Sequence, residues 1–109
     1  MHELAIAESV IEAVLERTGS APVHAVRLEV GVLAGVTVDS LRFCFELATA
    51  DTSLADATLE ISQPAGLAHC NHCGADFEVS ELILLCRCGS ADVQVLQGQQ
   101  LRILSVEVG

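Results

Sequence analysis

Four of the five cysteines in this 109-residue chain stand in two close pairs, Cys70-Asn71-His72-Cys73 and Cys86-Arg87-Cys88, and a glycine follows each pair at once. A thiolate is a soft anionic ligand, and two such pairs facing each other make the tetrahedral four-sulfur cage that structural zinc takes. Gly74 and Gly89 can adopt positive φ, which lets backbone N–H groups point back at the sulfurs. The second pair is C-x-C, one residue short of the usual zinc-ribbon turn, so that turn must be strained or reshaped. His69 and His72 flank the first pair, and either imidazole could replace a badly placed sulfur to give a Cys3His site. A pair of disulfides is the competing reading. It is disfavoured because nothing else in the chain looks secreted and a C-x-C bridge is strained.

The first tripeptide, Met1-His2-Glu3, is the other place with chemistry. His2 is too bulky to favour removal of the initiator methionine, so the free α-amine is expected on Met1. That amine, the deprotonated amide of His2 and the His2 imidazole can close adjacent chelate rings around one ion. Three nitrogens in a plane suit a square-planar Ni(II) or Cu(II) rather than tetrahedral zinc. Glu3 could complete the square through its own amide nitrogen or add its carboxylate. With histidine second rather than third, the same chelate does not close the fourth corner, so the ion would be held yet transferable. The bland alternative is a surface histidine beside the initiator methionine.

Fifteen acidic residues against five basic ones give a formal charge of −10, which repels phosphate backbones and argues against nucleic acid as a partner. Glu3 and Glu8 stand where a signal peptide would be basic, and no apolar run reaches membrane-spanning length. Reduced, closely paired cysteines then point to the cytoplasm. Four clustered cysteines describe a closed metal site, whereas a catalytic zinc keeps an open position. No Ser/His/Asp grouping and no phosphate-binding glycine loop is present. The chain is expected not to be an enzyme.

The elements that must position these residues follow from periodicity. Residues 4–17 repeat at helical spacing, with Leu4, Ala7, Val10, Val14 and Leu15 on the apolar face and glutamates opposite; Gly19 supplies the stop. Residues 23–33 alternate as a strand, Val26, Leu28, Val30 and Val32 facing the core and Arg27, Glu29 and Gly31 facing away. Thr37 is the expected N-cap of a second helix running to about Ala48 and burying Leu41, Cys44, Phe45 and Ala48. Residues 58–62 and 101–108 alternate as further strands, the last with Leu104, Val106 and Val108 on one face. Short strands are expected at 77–79, 82–85 and 93–96. The expected fold is α+β: a small three-stranded sheet covered by two helices, with an inserted zinc-ribbon-like β module. Residues 1–65 plus 99–109 would form the αβ domain and 66–98 the zinc-binding domain. A β module on a short linker could exchange between protomers, so a homodimer is open to this architecture.

Met1-His2-Glu3-Leu4 leading straight into an amphipathic helix resembles the opening of the HypA/HybF family of hydrogenase-maturation nickel chaperones. Arg27-Leu28-Glu29-Val30-Gly31, Leu41-Arg42-Phe43, Cys70-x-x-Cys73, Cys88-Gly89-Ser90 and Leu101-Arg102-Ile103 extend the likeness nearly end to end. The resemblance implies a metallochaperone that carries Ni(II) on Met1, His2 and the Glu3 segment. It also implies a structural Zn(II) on Cys70, Cys73, Cys86 and Cys88. Its implied partners are a HypB-type GTPase and the large subunit of [NiFe]-hydrogenase, with urease a further target in some bacteria. The departure is Cys86-Arg87-Cys88, where the family usually has C-P-x-C. A zinc-ribbon adaptor that binds only proteins, with an inert N-terminus, is the alternative.

Overall fold

The computed structural model describes residues 2–109. Their element order is α1 (Glu3–Thr18), β1 (Val23–Val30), α2 (Val38–Thr49), β2 (Thr58–Ser62), β3 (Gly66–Cys70), β4 (Asp76–Val79), β5 (Val93–Gln97) and β6 (Leu101–Val108). The strands form two three-stranded sheets, ordered β2-β1-β6 and β4-β3-β5. The chain divides into two compact units. One comprises Met1–Leu28, Val36–Ile61 and Arg102–Gly109, the other Glu29–Gly35 and Ser62–Leu101. No described helix is long and apolar enough to cross a membrane.

In the first unit α1 packs against α2. With no Trp or Tyr available, the interior is aliphatic but for one phenylalanine: Ile6, Ala7, Val10 and Val14 of α1, Val23, Val26 and Leu28 of β1, Leu41 and Phe45 of α2, and Leu59 of β2. Burying each of the larger side chains stabilises the fold by about 1.5–3 kcal/mol. Gly19 ends α1 at φ 60° and donates its N–H to the Leu15 carbonyl at 2.9 Å, the expected stop. Leu4 departs from the expected pattern and lies 49 % exposed. In α2 the innermost position after Phe45 falls to Thr49, while Cys44 and Ala48 are only half-buried. Thr49 tolerates burial because its hydroxyl donates to the Phe45 carbonyl at 2.8 Å.

Thr37 does precede α2, but its side chain makes no capping bond. The Glu3 carboxylate caps instead, accepting the Thr37 N–H at 3.1 Å and so joining the starts of the two helices. β6 also differs from expectation. Ile103 and Val106 are its half-buried positions, and Leu104 and Val108 are exposed.

The second unit is built on β3, which pairs antiparallel with β4 on one side and with β5 on the other. Its buried core is small: Leu33, Ala68 and Val79, against which Val32, Phe77, Leu84 and Val95 pack. The strand expected at 82–85 does not form. Its place in the sheet is taken by Gly66–Cys70, whose partners on both flanks leave no vacant edge beside the centre. β1 stops at Val30 rather than continuing to residue 33, because Gly31 and Leu33 turn their N–H groups to the carbonyls of Gln100 and Gly98, each at 2.7 Å. Gln100 closes this clamp, accepting from the Gly98 N–H and donating to the Glu29 carboxylate, each at 3.0 Å. Gly31 was expected to face outward, yet it is buried, and a Cβ there would fall on the Gly98 carbonyl. Gly31→Ala should therefore destabilise the second unit by about 1–3 kcal/mol, the usual range for overpacking. Denaturant unfolding of the metal-loaded variant measures this, and an unchanged midpoint would contradict the close approach.

Candidate metal centre

Two short segments bring the four paired cysteines together. Cys70 ends β3, Cys73 follows in a tight turn, and Cys86 and Cys88 come from the loop between β4 and β5. The first turn is fixed by Gly74 N–H to the Cys70 carbonyl at 2.9 Å and by Cys70 N–H to the Ala75 carbonyl at 2.8 Å. The second repeats this pattern, with Gly89 N–H on the Cys86 carbonyl at 2.9 Å and Cys86 N–H on the Ser90 carbonyl at 3.0 Å. Gly74 and Gly89 take φ of 80° and 94°, the left-handed conformation that glycine adopts without steric cost. In the first turn the Cys73 N–H points at the Cys70 sulfur, 3.4 Å away.

The sulfurs pair crosswise, Cys70 Sγ with Cys88 Sγ at 3.7 Å and Cys73 Sγ with Cys86 Sγ at 3.6 Å. All four lie within 4.8 Å of one another. Four sulfurs about 2.3 Å from one tetrahedral zinc would stand about 3.8 Å apart, so this donor set fits zinc in number, softness and spacing. The missing residue of the C-x-C turn does not expel Cys88. Neither His69 nor His72 belongs to the group. His69 has another partner, its Nδ1 lying 2.6 Å from Asp76 Oδ1 across the β3–β4 register.

Crowding governs the protonation of these thiols. Cys70 is lowered to about 6, first by the Cys73 N–H and then by that of His72, against the cost of burial. Cys73 is raised: the Ala75 amide favours its thiolate, but the Cys86 and Cys70 sulfurs and desolvation outweigh it. Cys88 is pushed up to about 12, where desolvation and the other three sulfurs overcome the help of the Ser90 amide. Without a cation the Cys70 thiolate is favoured while Cys73 and Cys88 hold their protons.

At the N-terminus the described residues begin with His2, which is exposed. Met1, whose amine is the first expected nickel donor, lies outside the described residues. The His2 carbonyl accepts the Ile6 N–H at 3.0 Å, the first bond of α1. The N–H groups of His2 and Glu3 are therefore among those at the helix start that have no intrahelical carbonyl to donate to. The Glu3 carboxylate is held below the usual carboxylate range, chiefly by the Thr37 N–H it accepts. Its capping contact is in place above the unfolded-state value near 4.3 and fades as the pH falls through the lowered folded value. Sequence reasoning missed this role, because the acceptor–donor pair spans two helices and has no local signature.

Loading the centre should release at least two protons per zinc at pH 7, since Cys73 and Cys88 must surrender theirs to bind. Calorimetry in buffers of different ionisation enthalpy counts these protons. A release below one would mean the thiols were already ionised.

Comparison with known proteins gives one consistent answer. A family model described as "Hydrogenase/urease nickel incorporation, metallochaperone, hypA" matches residues 1–108. The chain is similar to a hydrogenase maturation factor HypA of Geotalea uraniireducens, 42 % identical over 109 residues and covering 99 % of each chain. It is 39 % identical to one of Crocosphaera subtropica, covering 99 % of this chain and 96 % of that one. In fold it is similar to the solution structure of the Ni metallochaperone HypA from Helicobacter pylori, with a TM-score of 0.65, 24 % identity, and 99 % and 97 % of the two chains covered.

Proposed function

The chain belongs to the HypA family of nickel-incorporation metallochaperones, and on that premise we propose that it binds Ni(II) through its first three residues and delivers it during maturation of [NiFe]-hydrogenase. The observation that carries this reading is the end-to-end family match, which includes the Met1-His2-Glu3 start. Nickel is the cargo. The Met1 amine, the His2 amide and the His2 imidazole supply three nitrogens suited to a square-planar ion, and the Glu3 amide is the fourth candidate. Deprotonating the amides of residues 2 and 3 breaks no helical hydrogen bond, because N–H groups at a helix start donate to no intrahelical carbonyl. The α1 dipole opposes a cation at this end, and the negative charge of deprotonated amides and of Glu3 offsets it.

The resident metal on this reading is zinc, held by Cys70, Cys73, Cys86 and Cys88. It supplies cross-linking and no open coordination position, so the chain acts as a carrier rather than a catalyst. The fit of four sulfurs within 4.8 Å supports this. A HypB-type GTPase and the hydrogenase large subunit are the proposed partners, and the cytoplasm the proposed compartment.

Nickel titration of zinc-loaded, untagged protein tests the reading. One equivalent should bind to the native chain and be lost in His2→Ala. Binding indifferent to His2 would move the site to the insert, and no binding would favour a zinc-ribbon adaptor. Affinity should fall as the pH is lowered, because protons compete with nickel for the imidazole and amine nitrogens. A flat profile from pH 5 to 8 would sink the amine–imidazole site.

A further inference from the structure

An apolar run lies in water in the second unit. Leu82 and Ile83 are each 67 % exposed and Leu85 is 52 % exposed. Leu84 alone turns inward, packing against Leu33, Ala68 and Val79. The run ends on Cys86, whose place in the sulfur group anchors it. A stretch of consecutive exposed aliphatic residues favours aggregation, and soluble proteins retain one where it is used for binding.

Beside the run lies an unpaired sheet edge. β4 is the outer strand of β4-β3-β5. The Cys70–Ala75 bond and the register Ala68↔Phe77 and Gly66↔Val79 set residues 75, 77 and 79 toward β3. In an antiparallel ladder the intervening residues, Asp76 and Glu78, then turn their main-chain N–H and C=O groups to the free edge. An open groove of about 620 Å³ adjoins this strand, lined by the apolar Phe77 and Leu85 and by the charged Asp76, Glu78 and Arg87.

We propose that this edge, groove and run together receive an extended apolar segment of another protein that is flanked by lysine or arginine. The backbone of such a segment would add to β4, and its apolar side chains would cover Leu82, Ile83 and Leu85. Charge selects the occupant. Asp76 and Glu78 face the groove against a single Arg87, Glu81 opens the run, and the whole chain carries −10. A second copy of this chain would set like charges against each other; a basic-flanked segment meets opposite ones. The site is independent of nickel carriage.

The test is a titration of ¹⁵N-labelled, zinc-loaded full-length protein. The probes are a peptide of alternating Val and Ile with lysines at both ends and its twin with glutamates there. The lysine peptide should shift the resonances of residues 76–78 and 82–87 and bind at least about tenfold more tightly than its twin, a gap of roughly 1.4 kcal/mol. The double variant Leu82→Ser, Ile83→Ser should weaken binding by about tenfold or more, leaving the cobalt–thiolate spectrum of the metal-exchanged protein intact so that misfolding is excluded. Equal binding of the two peptides, shifts confined to other residues, no binding, or unchanged binding by the variant would overturn the proposal. So would a dimer in sedimentation that disappears in the variant, since the occupant would then be a second copy.

Discussion

The second unit is organised around four sulfurs that cannot all ionise unless a cation joins them. Four sulfurs converge within 4.8 Å, and repulsion among them holds Cys73 and Cys88 protonated while Cys70 ionises easily. A divalent metal reverses the sign of the local field, so four thiolates become the favoured state and the sulfurs are drawn together. The consequence reaches past the turns. Cys70 ends the strand that carries both ladders of its sheet, and Cys86 ends the exposed apolar run. With a buried cluster as small as Leu33, Ala68 and Val79, apolar burial contributes little here, and a metal on the four sulfurs would supply most of what fixes this unit.

The first unit is held by other means. Its interior is mainly aliphatic, and polar contacts lie around it: Arg27 reaches Glu60 and Glu107 across three strands, each at 3.4 Å, and Arg42 donates to the Leu59 carbonyl at 2.6 Å. The Arg27 pairs are solvent-exposed and contribute at most a fraction of a kcal/mol each. The Glu3–Thr37 bond matters more for position than for energy, because it fixes where the first turn of α1 begins.

What could be read from the sequence divides along the range of the interactions. Both helices, β1, β2 and β6 were legible because their periodicities are local, and the cysteine spacing named the sulfur group, including the shortened pair. The errors fell where non-local pairing decides. Leu82–Leu85 has the stronger strand composition, yet Gly66–Cys70 forms the central strand, since strand formation depends on finding partners on both sides. Gly31 read as an outward-facing strand residue. Its need for glycine appears only once its chain segment and that of Gly98 cross within contact of each other. Glu3 as a cap for a helix 34 residues away is illegible for the same reason.

This division also bears on how one small chain can treat two metals differently. The zinc donors proposed here come from two separate segments of the sequence, so removing that metal opposes the folding that gathered them. The proposed nickel donors are consecutive residues at the start of α1, and two of them are main-chain nitrogens whose N–H groups donate to no helical carbonyl. Giving up nickel then disrupts neither a ladder nor a core contact. A resident metal belongs where its loss would cost structure, and a transferable one where its loss costs only its own coordination bonds.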